Sequence, residues 1–138
     1  MLKPINPGQT FEVTSAHDPA KKDADKTVFV CRIFPARLNA HLADQAGGLD
    51  IQADAKGKPV VKQSVTDFNK RALEVFRLGV VELKNWDGKF EQKKKDVAGA
   101  QMLKLTEATA NQFPFAVIKE IADRISAENR LPEEVLGN

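Results

Sequence analysis

Two histidines are the side chains of this sequence that titrate nearest neutral pH, and they are its first candidates for acid–base chemistry. His17 falls in a polar stretch, and His41 falls in a predicted short helix with Asp44 three residues further on. Because that spacing is common in helices, we interpret both histidines as surface or structural residues. A zinc site needs three or four closely spaced ligands, and the single cysteine, Cys31, does not complete such a set. The sequence therefore predicts no catalytic residue and no metal site.

Three aspartates, Asp18, Asp23 and Asp25, form an acidic cluster that resembles a cation loop only in composition. The cluster lacks the glycine at the sixth position and the acid at the twelfth that an EF-hand uses for calcium, so we interpret it as a solvated loop. The sequence also lacks a Walker phosphate loop, a dinucleotide fingerprint, a nucleophile elbow and a zinc-protease helix motif. We therefore expect a protein that is not an enzyme, has no cofactor and binds neither zinc nor nucleotide.

Basic residues concentrate in the middle of the chain. Residues 56–95 hold 11 Lys/Arg against 5 Asp/Glu, whereas residues 111–138 hold 3 against 5. Proteins that bind single-stranded nucleic acid place stacking aromatic residues among their basic residues. Here only Trp86 and Phe90 lie near the lysines in sequence. A solvated basic loop is therefore our preferred interpretation, and nucleic acid is not the expected partner. The candidate basic patch that could touch nucleic-acid phosphate consists of Lys89, Lys93, Lys94 and Lys95.

The stretch from Ser64 to Gly88 is the element that we expect to organise the fold. Ser64 can cap a helix, and Asp67 follows three residues later, near the positive helix end. Apolar residues then recur with a 3.6-residue period, which predicts a central helix over about 64–85. Turn residues from Asn85 onward end it. The members of the apolar face are Phe68, Ala72, Leu73, Val75, Phe76, Val80, Leu83 and Trp86.

Three apolar residues of this stretch are candidates for binding a partner. Leu78 and Val81 interrupt the face that is otherwise polar, and Trp86 lies at the helix end, where it is also placed to anchor the core. An apolar face this broad leaves surface that neighbouring elements do not cover, and such surface usually binds another protein. We therefore predict partner binding at these three residues, together with a weak homo-oligomer.

The N-terminal part of the chain predicts a small antiparallel hairpin followed by a short helix. Residues 9–14 alternate between apolar and polar side chains, and residues 27–34 are rich in β-branched and aromatic types. Two strands alone are marginal in water, so the hairpin must pack on a helix. Pro35 can open a short helix that ends at Gly47-Gly48. Residues 49–63 are interpreted as a long loop with room for one strand.

The C-terminal part predicts a second strong helix over about 114–128. Residues 89–96 form a basic connection, and periodicity leaves residues 97–105 open between a strand and the start of a helix. Thr106 is a plausible N-cap of a helix of one or two turns that runs to Gln112. The expected fold is therefore α+β, with the N-terminal hairpin packed on a mainly helical domain.

Length and composition indicate one ordinary globular domain over residues 1–138. The chain is 42% hydrophobic and 29% charged, with a formal net charge of +2, which argues against a dedicated polyanion binder. No apolar stretch approaches the roughly 18 residues of a membrane span, and the N-terminus does not resemble a secretory signal. We expect a cytoplasmic protein without a membrane partner. Residues 1–8 and the tail at 132–138 are predicted to be flexible.

The order of these parts resembles the tail assembly chaperones of long-tailed bacteriophages over about residues 10–138. Residues 49–63 and 89–96 depart from that pattern. The resemblance is carried by short motifs, namely Thr27-Val28-Phe29-Val30, Leu78-Gly79-Val80-Val81 followed by Trp86-Asp87-Gly88, Thr106-Glu107 before Phe113-Pro114, residues 117–122, and residues 129–138.

The resemblance implies a non-enzymatic protein of the host cytoplasm that binds the tape-measure protein and helps to recruit tail-tube protein while the tail is built. Such a protein is absent from the finished virion. A partly helical tape measure would be covered by partners that offer apolar grooves. Two other classes stay open: a structural component of the virion, such as a small connector or tube-associated protein, and a nucleic-acid-binding regulator that uses the basic excess of residues 56–95.

Overall fold

The computed structural model describes residues 1–129 except residues 3, 5, 47, 48, 54, 58 and 64, and it describes only the backbone of residues 45–46, 49–53, 59–63 and 65–68. The predicted α+β class is confirmed. Ser64 and the tail at 132–138, whose roles as cap and flexible end were predicted, lie outside the described residues. In chain order the elements are β1 (Thr10–Thr14), β2 (Val28–Arg32), α1 (Ala36–Ala46), β3 (Leu49–Ala53), β4 (Pro59–Gln63), α2 (Val65–Gly79), β5 (Val80–Lys84), β6 (Gln92–Val97), β7 (Ala100–Leu105), α3 (Glu107–Ala110) and α4 (Phe115–Glu128).

The predicted N-terminal hairpin is confirmed and gains a third strand. β1 and β2 pair antiparallel with Val13 opposite Phe29, and β5 pairs with the other edge of β2. The inward side chains of the sheet include Val13, Phe29 and Cys31, which are buried in the core. Three strands with one apolar face are the smallest sheet that gains independent stability, so the hairpin obtains from β5 the support that two strands lack.

The central helix is shorter than the sequence predicted. α2 ends at Gly79, and residues 80–84 form β5 instead of the last turns of a helix over 64–85. Val80 and Val81 favour a strand because their branched side chains are restricted in a helix. The pairing partner of these residues is β2, about fifty positions earlier in the chain, which a local apolar period cannot reveal.

α2 and α4 form the main helix pair of the core. α4 confirms the helix predicted over about 114–128, and it buries Ile118, Ile121, Ala122 and Ile125. Gly79 lies at the closest approach, where a Cβ atom would stand 2.7 Å from Ile125 Cδ1 and 3.0 Å from Ile125 Cγ2. The glycine therefore ends the helix and lets α4 approach the end of α2 closely.

The remaining strands replace two segments that the sequence predicted as loops. β6 and β7 form a hairpin whose turn, Ala98-Gly99, has positive φ at both residues, the conformation that matches a two-residue hairpin. Residues 49–63 contain the paired strands β3 and β4. The basic connection over 89–96 is thus corrected to a strand, because a strand with a solvent-exposed face tolerates lysines there. Residues 49–63, predicted as a long loop with room for one strand, hold two.

Side-chain caps fix the ends of the C-terminal helices. The Thr106 side chain accepts a hydrogen bond from Thr109 N, which confirms the predicted cap of α3. Asn129 follows α4, and its Oδ1 accepts from Phe34 N at 2.6 Å while its Nδ2 donates to Ile125 O at 2.9 Å. Asn129 therefore joins the end of α4 to the end of the N-terminal sheet.

Candidate protein-binding groove

The aromatic side chains of the core continue to the surface at Trp86. Phe113 is the centre of the cluster, with its ring centroid 5.4 Å from that of Phe29 and 5.7 Å from that of Phe76. Trp86 stacks on the outer side of Phe113, with centroids 4.5 Å apart and an interplanar angle of 24°. Offset stacking of this kind stabilises both rings beyond the area that they bury. The tryptophan is thus held by the core while part of it stays accessible.

The loop that carries Trp86 is fixed on both sides. Asn85 has a φ of 55°, and its Nδ2 donates to Ala24 O at 2.8 Å. Gln112 clamps Lys89, donating from Nε2 to the Lys89 carbonyl at 2.6 Å and accepting from the Lys89 amide at 2.7 Å. Position 88 of this loop requires glycine, because a Cβ atom there would lie 2.5 Å from Trp86 Cζ2. The position of Trp86 is therefore set before any partner arrives.

An open groove lies beside this stack, and we name it the aromatic groove. Its volume is about 300 Å³, at the small end of the range for ligand-sized pockets. The space admits one or two large apolar side chains. The apolar wall of the aromatic groove consists of Phe29, Trp86, Phe113, Pro114 and Val117.

The opposite rim of the aromatic groove comes from the loop between β1 and β2. Glu120 on α4 accepts a hydrogen bond from the Ser15 hydroxyl and another from Ala16 N. Asp18 accepts from Ala20 N and from Thr27 N, and these two bonds lower the pKa of its carboxyl. The loop is therefore fastened to α4 and closed on itself, so the rim is ordered without a ligand.

The structure separates the three predicted partner-binding residues. Trp86 lines the aromatic groove, whereas Leu78 is 1% exposed and belongs to the core. Leu78 belongs to the core cluster, so the side of α2 that the sequence pattern assigned to solvent is covered in the fold. Val81 is partly exposed and lies at a β-bulge. Val30 pairs with Glu82 and Cys31 pairs with Val80, so Val81 between them has no pairing partner on β2. The prediction that Leu78 lies on an exposed face is therefore wrong.

Sequence reasoning missed most of the wall of the aromatic groove. Phe29, Phe113 and Pro114 entered the sequence analysis only through the predicted strand and the motifs of the resemblance, and not as residues of a binding site. The pair Phe-Pro at a helix start was an available signal, because a large apolar residue directly outside a helix usually packs on a neighbouring element. Its partner, Trp86, is 27 positions away, too far for a local pattern to connect the two rings.

The predicted basic patch is divided by the geometry of β6. Successive side chains of a strand point to opposite faces, so Lys93 and Lys95 share one face and Lys94 occupies the other. Lys89 lies outside the strand, where its Nζ is 3.3 Å from Glu91 Oε1. Lys93 and Lys95 instead line a second concavity, together with Arg77 of α2. The four lysines therefore do not form one continuous basic surface.

The candidates for catalysis stay apart in the described part of the chain. His17 lies at the rim of the aromatic groove, and His41 lies on α1. Cys31 is buried, which raises the pKa of its thiol to about 12 and keeps it protonated at neutral pH. Among the described residues there is no group of three or more metal-binding side chains. No described helix is both long and apolar enough to cross a membrane.

Comparison of the chain with models of protein families, with curated proteins and with solved structures gives no match. The groove combines a rigid apolar wall with a fastened polar rim, and this combination is typical of a surface that receives a side chain from another protein.

Proposed function

We propose that this protein is a non-enzymatic tail assembly chaperone of a long-tailed bacteriophage, acting in the host cytoplasm. In this proposal the aromatic groove binds an apolar anchor from a helical segment of the tape-measure protein, and the bound chaperone helps to recruit tail-tube protein. The observation that carries the proposal is the stack of Trp86 on Phe113 at the open groove. Tryptophan is among the residues most enriched at the centres of protein interfaces.

The size of the aromatic groove suits binding that is later reversed. Burying one large aliphatic side chain contributes roughly 1.5–3 kcal/mol, and a volume of about 300 Å³ admits only one or two of them. Part of this energy offsets the cost of association, so a single contact of this kind is weak. A chaperone must leave its client when the tail tube encloses it, and repeated weak contacts along a long client meet that requirement.

Replacing Trp86 tests the proposal directly. We expect Trp86→Ala to weaken binding of helical tape-measure peptides roughly 30-fold, the effect of losing about 2 kcal/mol at a central interface residue. Trp86 is the single tryptophan of the chain, so in the parent protein its fluorescence also reports whether the groove is occupied. Calorimetric titration of the peptides gives the affinity, and a blue shift of the emission on binding places the contact at the groove.

Two further variants separate binding from folding. Pro19→Glu adds a charge at the exposed rim of the aromatic groove without touching the core, and we expect it to weaken the same peptides. Phe115→Ala removes an exposed phenylalanine that does not line the groove and should leave binding unchanged. Equal affinities for the parent, Trp86→Ala and Pro19→Glu would refute the groove as the client site.

The composition of purified virions distinguishes the chaperone from a structural component. We expect mass spectrometry to find this protein in lysates of infected cells and not in purified particles. Stoichiometric amounts in the particles would favour the virion component instead. A reading frame for a very long, coiled-coil-rich protein next to this gene would support the chaperone.

A further inference from the structure

A second concavity lies between α2 and the β6–β7 hairpin, and we name it the cationic pocket. Its volume is about 230 Å³. The charged side chains that line it are Arg77, Lys93, Lys95, Lys104 and Glu107. Four cations gathered around so small a space repel one another, so the pocket favours an anion that lowers this repulsion.

Arg77 is held in one orientation at the wall of the cationic pocket. Its Nε donates to Leu105 O at 2.8 Å, and its side chain is only 14% exposed. Its Nη1 is 3.8 Å from Glu107 Oε1, which is an ion-pair distance but too long for a hydrogen bond. The terminal nitrogens of a fixed guanidinium can therefore bind a carboxylate with little further loss of side-chain freedom.

The lysines around Arg77 differ in their bonding. Lys104 donates to both oxygens of Glu74, at 2.7 and 2.8 Å, so its charge is already paired with an acid that does not line the pocket. Lys93 and Lys95 form no ion pair with the described residues, and both side chains are exposed on the face of β6 that borders the pocket. Counting four cations against Glu74 and Glu107 leaves a net charge of +2.

We propose that the cationic pocket binds an acidic segment of a partner protein through two neighbouring carboxylates. Two carboxylates match the net charge of +2, and the fork of Arg77 suits the first of them. Nucleic acid fits less well, because none of the residues that line the pocket is aromatic and Glu107 would repel a phosphate at the rim. Lys94 points to the other face of the hairpin, so the lysines do not form a continuous track for a phosphate backbone. The site is separate from the aromatic groove and does not depend on what that groove binds.

Fluorescence anisotropy with a labelled hexaglutamate peptide tests this inference. We expect saturable binding that weakens with added salt, and no binding of hexaglutamine. The double variant Lys93→Gln/Lys95→Gln should bind hexaglutamate about tenfold more weakly, the size expected from losing two exposed ion pairs. The matched control, Lys89→Gln/Lys94→Gln, removes the same charge outside the pocket and should bind as the parent does.

Three outcomes would overturn the inference. The first is the absence of hexaglutamate binding at low ionic strength. The second is an equal loss in both double variants, which would show a response to net charge alone. The third is tighter binding of a labelled hexathymidylate, lost in Lys93→Gln/Lys95→Gln, which would assign the pocket to nucleic acid. Because the variants leave Trp86 unchanged, its fluorescence checks folding and the aromatic groove independently.

Discussion

Among the residues that the structure describes, Arg71 is a buried cation whose environment does not supply the hydrogen bonds that its side chain requires. It lies on α2, is 2% exposed, and none of its three guanidinium nitrogens meets a hydrogen-bond acceptor in the described part of the chain. Burial lowers the pKa of Arg71 to about 10, so the group stays charged at neutral pH. A buried cation without a partner opposes folding, because its lost hydration is not replaced.

Replacing Arg71 by an apolar residue of similar length should therefore stabilise the protein. We expect Arg71→Met to raise the free energy of unfolding by about 1–4 kcal/mol, the range for exchanging buried charges for hydrophobic residues. Urea denaturation at neutral pH measures the change. Lys70→Met on the exposed neighbouring position is the control and should shift the midpoint little. A clear loss of stability in Arg71→Met would mean that the guanidinium makes a stabilising contact in solution.

At the scale of elements, the sequence predicted the elements whose residue pattern lies within one short stretch of chain. The hairpin of β1 and β2, the Thr106 cap and α4 follow from alternation, capping and a 3.6-residue stripe within single stretches. β5 was assigned to the central helix, because residues 80–83 satisfy both periods and only the distant β2 decides between them. β6 was missed because its lysines resemble a loop.

The same limit applies to the candidate site. The sequence singled out Trp86 as a large apolar residue next to a turn, and the structure shows that it lines the aromatic groove; its role in binding stays a prediction. The remaining wall comes from β2, from the residues before α4 and from α4 itself, and these meet only when the sheet and the helix pair are assembled. Arg77 and Lys104 of the cationic pocket were missed for the same reason.

The contact between Gly79 and α4 predicts how the helix pair responds to one added methyl group. Gly79→Ala places Cβ 2.7 Å from Ile125 Cδ1, so we expect a loss of about 1–3 kcal/mol in the free energy of unfolding. Ile125→Val removes Cδ1 and should recover part of that loss when it is combined with Gly79→Ala. A double-mutant cycle by thermal or urea denaturation measures the coupling. Strictly additive effects would contradict the close approach of the two residues.

At the scale of the whole molecule, apolar side chains stay on the surface away from the aromatic groove. Leu103 is 45% exposed on β7, and Phe115 is 43% exposed at the start of α4. With Leu78 in the core, Leu103 is the exposed apolar residue that we expect a second copy to cover. Self-association thus remains a prediction, with Leu103 in place of Leu78 as the expected contact residue.

We expect a weak homo-oligomer whose mass increases with concentration. Light scattering across a hundredfold concentration range measures it, and Leu103→Lys should shift the mass toward the monomer because it places a charge in the contact. Lys94→Gln, opposite Leu103 in the hairpin, changes charge without removing apolar area and serves as the control. A monomeric mass at every concentration would exclude this association.

The bonds that fasten the N-terminal sheet to α4 also set an order of events during synthesis. Ser15 is bonded to Glu120, and Phe34 is bonded to Asn129, across 105 and 95 positions of sequence. Ribosomes add roughly 5–20 residues per second. The first hairpin is therefore synthesised on the order of ten seconds before Glu120 and Asn129, the residues that fasten it. During that interval Phe29 and Val13 lack α4, although α2, whose Phe76 ring centroid lies 6.0 Å from that of Phe29, is synthesised before α4. In that interval the nascent hairpin exposes apolar side chains that are buried in the folded protein, and such surface promotes aggregation and binding by cellular holdases.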